Sequence, residues 1–472
     1  MASNIKVLIV GAGIGGLTLG ILLERANINY EILEKHSHHS TVGSAICLVP
    51  SVQPLFRQLG ILEEIQRLSK PFGSMAFRDD KLECIGTYSS RTPLDIKERY
   101  GEYCLIIARR DFCGILSAHV PQSKIHYNKR VLEIRQNVGE VIVQCSDRST
   151  HHCDILVGAD GAYSAVRQCL HQELSARGLL PKQDLMPMGY QYDCLVGVTE
   201  PLDPHLIPSL TDKFSDFQTV LSKDSTCSYW CIPLTENRIS WMVVKYHDRG
   251  KKYAEEQIFK ISDWGTDAAE AMSYEYRQLK TIYGCELGYL FDKTSKESMA
   301  KVMLEEKYYK TWYSGRVVLT GDACHKVVPF GGQGANQSIL DMLTLANLLV
   351  ELQDNTVPEI EQVFAAYFKE RASIGRSIVQ MSSRLGHIMN RKSWLNDIVR
   401  KVALRIQPRW ISQIVNDRMS YDRPQATFLP FVEIGGVYRP RPQTRSSYDP
   451  ATRSFTRRSS VDTEGEMRIQ TI

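Results

Sequence analysis

Three separated segments carry residue types suited to phosphates and sugar hydroxyls. They are GAGIGG at Gly11–Gly16, DILVGADGAYSAVR at Asp154–Arg167 and GDACHKVVPFGGQGAN at Gly321–Asn336. In the first, Gly11, Gly13 and Gly16 fit GxGxxG. The first glycine permits a tight turn, the second lets a pyrophosphate approach the backbone, and the third lets the helix pack on its strand. The helix N-terminus that follows offers free N–H groups and a favourable dipole to phosphates. Glu34 ends the next strand, where a carboxylate accepts hydrogen bonds from ribose hydroxyls and disfavours a 2′-phosphate. The second segment sets Asp160 and Gly161 after an apolar strand, then Ser164, a helix-capping residue, and Arg167. The third places Asp322 after the RVVLT strand at Arg316–Thr320, suited to a ribityl chain. Gly331, Gly332 and Gly334 then lead into a helix near Ala335 and Asn336, whose dipole favours negative charge on a reduced ring.

Taken in this order, the segments point to one bound dinucleotide, which the family resemblance given below implies is FAD in a flavin-dependent oxygenase. The elements around them agree. Ile5–Val10 is a continuous apolar run, as a buried parallel strand requires. LTLGILLERAN has helical spacing and YEILEK reads as a strand, completing a β–turn–α–β unit. SVQPLFRQLGILEEIQRL, Ser51–Leu68, reads as an amphipathic helix broken at Gly60, and Arg109–Leu116 starts another. QYDCLVGV, FQTVLS, STCSYWCIPL and RISWMVVKY form a strand-rich block between nucleotide-binding segments. Such an insertion suits a sheet that covers the cofactor and shapes a substrate pocket.

The expected fold is therefore α/β: a Rossmann-like FAD-binding domain, an inserted, mainly antiparallel substrate sheet and C-terminal helices. The expected division is 1–75, 105–180 and 301–352 for the FAD-binding domain, 76–104 and 181–300 for the substrate domain, and 353–430 for the helical region. Residues 440–472, rich in Arg, Ser, Thr and Pro, read as a disordered basic tail. With 57 basic and 53 acidic residues the chain is too balanced to suggest nucleic acid. Twelve cysteines lie without CxxC pairing, and the N-terminus is a short strand rather than a leader, so a cytoplasmic protein with reduced thiols is expected. Hydropathy gives no membrane-spanning run; peripheral membrane contact stays open, through the basic tail among other routes. No ligand cluster for zinc, iron or haem is apparent.

The chain resembles group A flavoprotein monooxygenases with the p-hydroxybenzoate hydroxylase fold, over roughly residues 5–350. GxGxxG, the "DG" segment and the "GD" segment stand in family order. The resemblance implies that Asp160, Gly161 and Arg167 serve FAD and NAD(P)H, and that Asp322 binds the ribityl chain. Ala108–Phe112 matches a pattern like A-R-P-D-L, which makes Arg109 the FAD ligand. Cys47, in VGSAICLVP, stands where the family usually has a glycine whose backbone meets the flavin. Phe330 replaces a usual Asn, and Asn336 and Asp341 match family positions. Within the group, VGSAICLVP, ARRDF, CSYWC and FLP at Phe428–Pro430 look most like fungal enzymes of meroterpenoid and indole-diterpene pathways. Those commonly epoxidise a prenyl alkene, and the Tyr assigned to their active site matches Tyr229.

The resemblance implies a single cofactor groove, NAD(P)H as a transient reductant, and a flavin C4a-hydroperoxide that gives one oxygen to a hydrophobic prenylated substrate. An electron-rich alkene requires no protein nucleophile, and none is apparent; Tyr229 is the candidate proton donor. His325 reads as structural. The alternatives are an aromatic hydroxylase of the same fold, with Tyr190, Tyr192 or Tyr229 polarising a phenol, and a non-redox binding protein. The retained Arg109, Asp160 and Asp322 argue against the latter. A halogenase fits less well, because Ser228 replaces the first Trp of W-x-W-x-I-P.

Overall fold

A computed structural model describes residues 5–38, 43–88, 93–222, 227–246, 266–390, 409–443, 448–449 and 454–455. Two sheets organise the molecule. The first has six strands in the order Tyr313–Ser314, Val317–Leu319, Ile155–Gly158, Lys6–Val10, Asn29–Leu33, Ile125–His126. All pair in parallel except the first two. The central strands are buried, which explains their unbroken Val, Leu and Ile content. Four neighbouring parallel strands end at one edge, and there they deliver Asp322, Asp160, Gly11 and Glu34. Ligands of open α/β sheets bind at this carboxyl edge.

The second sheet has ten strands. Its path runs His325–Lys326, Ala300–Tyr308, Gly189–Val198, Ile239–Tyr246, Cys227–Pro233, Ser215–Leu221, Lys70–Arg78, Leu105–Ala108, Ala45–Leu48, with Cys84–Tyr88 paired to Lys70–Arg78. It is antiparallel apart from the pairing of Ser215–Leu221 with Lys70–Arg78. Several expected boundaries move as a result. Lys70–Arg78 crosses the boundary at 75, and Ala45–Leu48, Leu105–Ala108 and most of Ala300–Tyr308 join this sheet although the sequence assigned them to the nucleotide domain. Edge pairing decides this: Ala45↔Ala108 and Lys70↔Ile106 attach these strands to Lys70–Arg78, which pairs in turn with Ser215–Leu221 of the inserted block.

The two faces of the second sheet bury different cores. One holds Leu195, Tyr229, Cys231, Trp241 and Val243 under the helices Thr266–Tyr276 and Leu287–Asp292. The other holds Cys194, Trp230, Ile232, Met242 and Leu304, with Cys47 and Phe330 packed against them, and so faces the nucleotide domain. The long helix Val357–Asn390 packs along Gly334–Glu351 and across the short turn Pro329–Gly331. The sequence break at Gly60 is real: helices Gln53–Gln58 and Leu62–Arg67 meet there, and Gly60 has φ +77°.

The C-terminal segment is docked beyond the expected boundary at 440. Arg441 N donates to the Tyr421 carbonyl at 2.9 Å, and Gln425 N donates to Gln443 Oε1 at 3.0 Å. Tyr448–Asp449 pairs with Ser454–Phe455. The remainder of the expected disordered tail lies outside the described residues.

Candidate functional site

The Gly11–Gly16 turn is built by contacts that only glycine permits. Gly11 takes φ +105°, and a Cβ there would lie 2.5 Å from the Ala159 carbonyl oxygen. A Cβ on Gly16 would lie 1.9 Å from the Gly11 carbonyl oxygen. Gly13 differs: a Cβ there would meet nothing within 4 Å. Its surroundings are open toward the uncapped N-terminus of the helix Ile14–Arg25. That is the arrangement a pyrophosphate needs.

Glu34 lies beside this turn. Its Oε2 accepts from Ala12 N at 2.9 Å, and its Oε1 accepts from His36 N at 3.0 Å. Burial alone raises its pKa, but the backbone N–H groups of His36 and Ala12 outweigh that and hold it below the usual value. It is an anionic acceptor at the end of its strand.

Asp160 packs against the Gly11 turn. Its Oδ2 accepts from Ala165 N at 2.7 Å and Val166 N at 3.2 Å, capping the helix Ala165–Ala176 together with Ser164. Its Oδ1 is buried and has no hydrogen-bond partner among the described residues, and burial raises the carboxyl pKa. Arg167 does not reach this opening. It donates to the Ala323 carbonyl at 3.0 Å and the Ala162 carbonyl at 2.6 Å, over the Tyr309 ring. It ties the second segment to the third.

Asp322 sits in the turn Gly321–Ala323 and pairs with Lys326 at 2.8 Å. Its Oδ1 lies 4.0 Å from where a Cβ on Gly334 would be, so it borders the first turn of the helix Gly334–Glu351, which contains Ala335. Asn336 then joins two parts of the site. Its Nδ2 donates to the Cys47 carbonyl at 2.8 Å, and its Oδ1 accepts from Val49 N at 3.2 Å. Arg109 opens the helix Arg109–Ala118, with its side chain against Gly43, where a Cβ would lie 2.8 Å from Arg109 Cδ. Gly43 has φ +142°, which disfavours any side chain there.

These features fit FAD. The open Gly13 cradle would take the pyrophosphate, Glu34 the ribose hydroxyls, and Asp322 with the Gly334 helix end the ribityl chain and ring. Cys47 and Arg109 come from adjoining strand and helix ends at the boundary of the two sheets. Bound FAD would supply the redox and oxygen chemistry, and the residues described would hold it.

Tyr229 does not join this group. Its hydroxyl donates to the Lys280 carbonyl at 2.6 Å inside the core on the far face of the sheet. Its neighbour Trp230 faces the nucleotide domain instead. Trp230 and Phe330 have ring centroids 6.1 Å apart, and Tyr192 and Phe330 are 5.2 Å apart. The place of Trp230 in this wall was missed in the sequence because every residue of Cys227–Pro233 is buried, so hydropathy cannot distinguish the faces.

A buried charge network lies beneath the third segment. Asp341 accepts from Gly321 N at 2.9 Å, His325 Nε2 at 2.6 Å and Arg371 Nε at 2.7 Å. Cys324, His325 and Asp341 also bring ligand-type atoms within 4.8 Å of one another. The acid there is already paired with two cationic side chains, which accounts for it without a metal. Burial alone raises the Asp341 pKa, but His325 and Arg371 prevail and hold it at about 2. Burial alone lowers His325, and Asp341 reverses this, holding it well above its usual value. Arg371, in the long helix, carries no local sequence signal for this role.

Fold and site together define a dinucleotide-binding α/β protein whose cradle fits FAD. The chain belongs to the FAD binding domain family, whose pattern matches residues 4–382. An FAD-dependent monooxygenase of Penicillium ochrochloron, ptmM, is 30% identical over 403 residues, covering 83% of this chain and 90% of the relative. Another of Aspergillus calidoustus, ausM, is 30% identical over 445 residues, covering 92% and 90%. Klebsiella pneumoniae HpxO, solved with FAD and uric acid, superposes with TM-score 0.69 at 18% identity, covering 90% of this chain and 97% of that one. CtdE, solved with FAD and a substrate, superposes with TM-score 0.64 at 18% identity, covering 88% and 100%. The chain is an FAD-dependent monooxygenase of fungal secondary-metabolite type, and NAD(P)H is the reductant typical of its family. No described helix is long and apolar enough to cross a membrane.

Proposed function

We propose that this monooxygenase epoxidises an alkene of a prenylated, meroterpenoid-type intermediate. The observation that carries the reading is the character of the sheet face turned toward the nucleotide domain. Trp230, Ile232, Met242, Val244, Leu304, Val328 and Phe330 make it apolar and aromatic. Such a wall suits a prenyl chain, and oxygen transfer to an electron-rich alkene needs no protein base. Tyr229, on the far face, is a poor candidate for proton transfer, and burial raises its hydroxyl pKa well above the usual value. The relatives named above support a secondary-metabolite substrate. All twelve cysteines are free thiols, which supports a reducing, cytoplasmic setting.

The test is NADPH consumption by the FAD-loaded protein with prenylated indoles and phenols, with product mass followed for the gain of one oxygen atom. Epoxide formation is the expected result. Ring hydroxylation of phenols with every alkene left intact would replace this reading with an aromatic hydroxylase.

A further inference from the structure

The strand Ala300–Tyr308 carries an acid in a place where the chemistry described so far does not use one. Ala300, Val302 and Leu304 lie on the face that bears Trp230 and Phe330. Glu306 continues that alternation by two residues. The irregularity in this pairing falls between Tyr190 and Tyr192 on the opposite strand, so the alternation along Ala300–Tyr308 is unbroken.

Glu306 meets the long helix. Its Oε1 accepts from Ser383 Oγ at 2.7 Å. Its Oε2 is buried and has no hydrogen-bond partner among the described residues. Three residues along the helix, Gly386 lies against the aromatic wall: a Cβ there would sit 2.7 Å from Phe330 Cδ2 and 3.1 Å from the Tyr192 hydroxyl. Ser383 and Gly386 share one helix face. One face of the helix therefore touches both the acid and the aromatic rings. A buried carboxyl oxygen left without a donor destabilises the site, and that cost disappears when a ligand supplies one. Burial also raises the carboxyl pKa, consistent with its apolar surroundings.

We propose that Glu306 is the polar anchor of the substrate pocket, taking through Oε2 a hydrogen bond from a hydroxyl or ring N–H on an otherwise apolar substrate. This rests on the substrate class proposed above. Ser383 holds the other oxygen and so fixes the direction of the free one. The aromatic wall receives the apolar body, while Glu306 sets which end of the molecule lies deepest.

The experiment titrates the FAD-loaded full chain with two matched pairs: a prenylated indole and its N-methyl derivative, and a prenylated phenol and its methyl ether. Binding is read from the flavin absorbance spectrum, without turnover. Wild type should bind the donor-bearing member of at least one pair about tenfold or more tighter. Glu306→Leu should abolish that preference at unchanged FAD content, and Glu306→Gln, which keeps an acceptor, should retain part of it. No preference in wild type, or a full preference in Glu306→Leu, would overturn the anchor and leave the prenylated-substrate reading standing. If the leucine variant fails to fold, Glu306→Gln decides: a preference equal to that of wild type overturns the anchor. A wild type that binds none of the four probes overturns the substrate class and the anchor with it.

Discussion

Tyr229 and Trp230 are adjacent in sequence and belong to different cores. The tyrosine hydroxyl bonds to the Lys280 carbonyl, whereas the indole stands 6.1 Å, centroid to centroid, from the Phe330 ring at the nucleotide side. Successive strand residues point to opposite faces, so only one of the two can line a pocket beside the cofactor. Tyr229→Phe should cost about 0.5–1.5 kcal/mol of stability through the lost hydrogen bond and leave kcat close to wild type. Trp230→Leu should raise KM several-fold at unchanged FAD content. Urea unfolding with steady-state kinetics checks both, and a large loss of kcat in Tyr229→Phe would return the tyrosine to the site.

Gly13 and Gly16 separate cofactor binding from folding. A Cβ on Gly13 meets no protein atom within 4 Å, whereas one on Gly16 falls 1.9 Å from the Gly11 carbonyl oxygen. Gly13→Ala is expected to fold with an apoprotein Tm near wild type yet bind FAD about tenfold or more weakly, roughly 1.4 kcal/mol. Gly16→Ala is expected to lower the Tm of the apoprotein itself. Flavin titration beside thermal melts of the stripped proteins distinguishes these outcomes.

Asn336 ties the helix end at the third segment to the backbone on both sides of Leu48, through the Cys47 carbonyl and Val49 N. Asn336→Ala leaves both groups without that partner, at a cost of about 1–3 kcal/mol. The expected result is faster FAD loss on dialysis, with a smaller change in far-UV circular dichroism. Retention equal to wild type would show that Cys47 is held in place by its strand pairing with Leu105–Ala108 alone.

The Asp341 network should leave a signature in the pH dependence of stability. Asp341 is held at about 2, below its unfolded value, so its contribution is present above about pH 4 and is lost as pH falls through about 2. His325 is held well above its usual value, so its contribution is full below about pH 6.5 and is lost as pH rises through the raised value. The difference in Tm between wild type and His325→Gln should be greatest between about pH 4 and 6.5 and should shrink toward alkaline pH. Asp341→Ala, which strands two buried cations, should cost about 3–5 kcal/mol. A His325→Gln difference that grows above neutral pH would contradict a protonated histidine.

The sequence by itself determined what is local or close to local. Gly11, Gly13 and Gly16 define a turn through backbone constraints acting over six residues. Ser164 marks a helix start, and the apolar strands before Gly11, Asp160 and Asp322 imply one parallel sheet that gathers these residues at its carboxyl edge. Tertiary structure decided the rest, because those contacts join residues far apart in the chain. Pairing of Lys70–Arg78 with both Ser215–Leu221 and Leu105–Ala108 ties strands near the cofactor groove to the inserted sheet, and Arg371 reaches Asp341 only because two helices pack together. A strand buried on both faces has no polar alternation to read, so the choice between Tyr229 and Trp230 was invisible until both cores were in place. Nothing in the sequence singles out Glu306; it is the long helix that covers it and leaves one of its oxygens without a partner among the described residues.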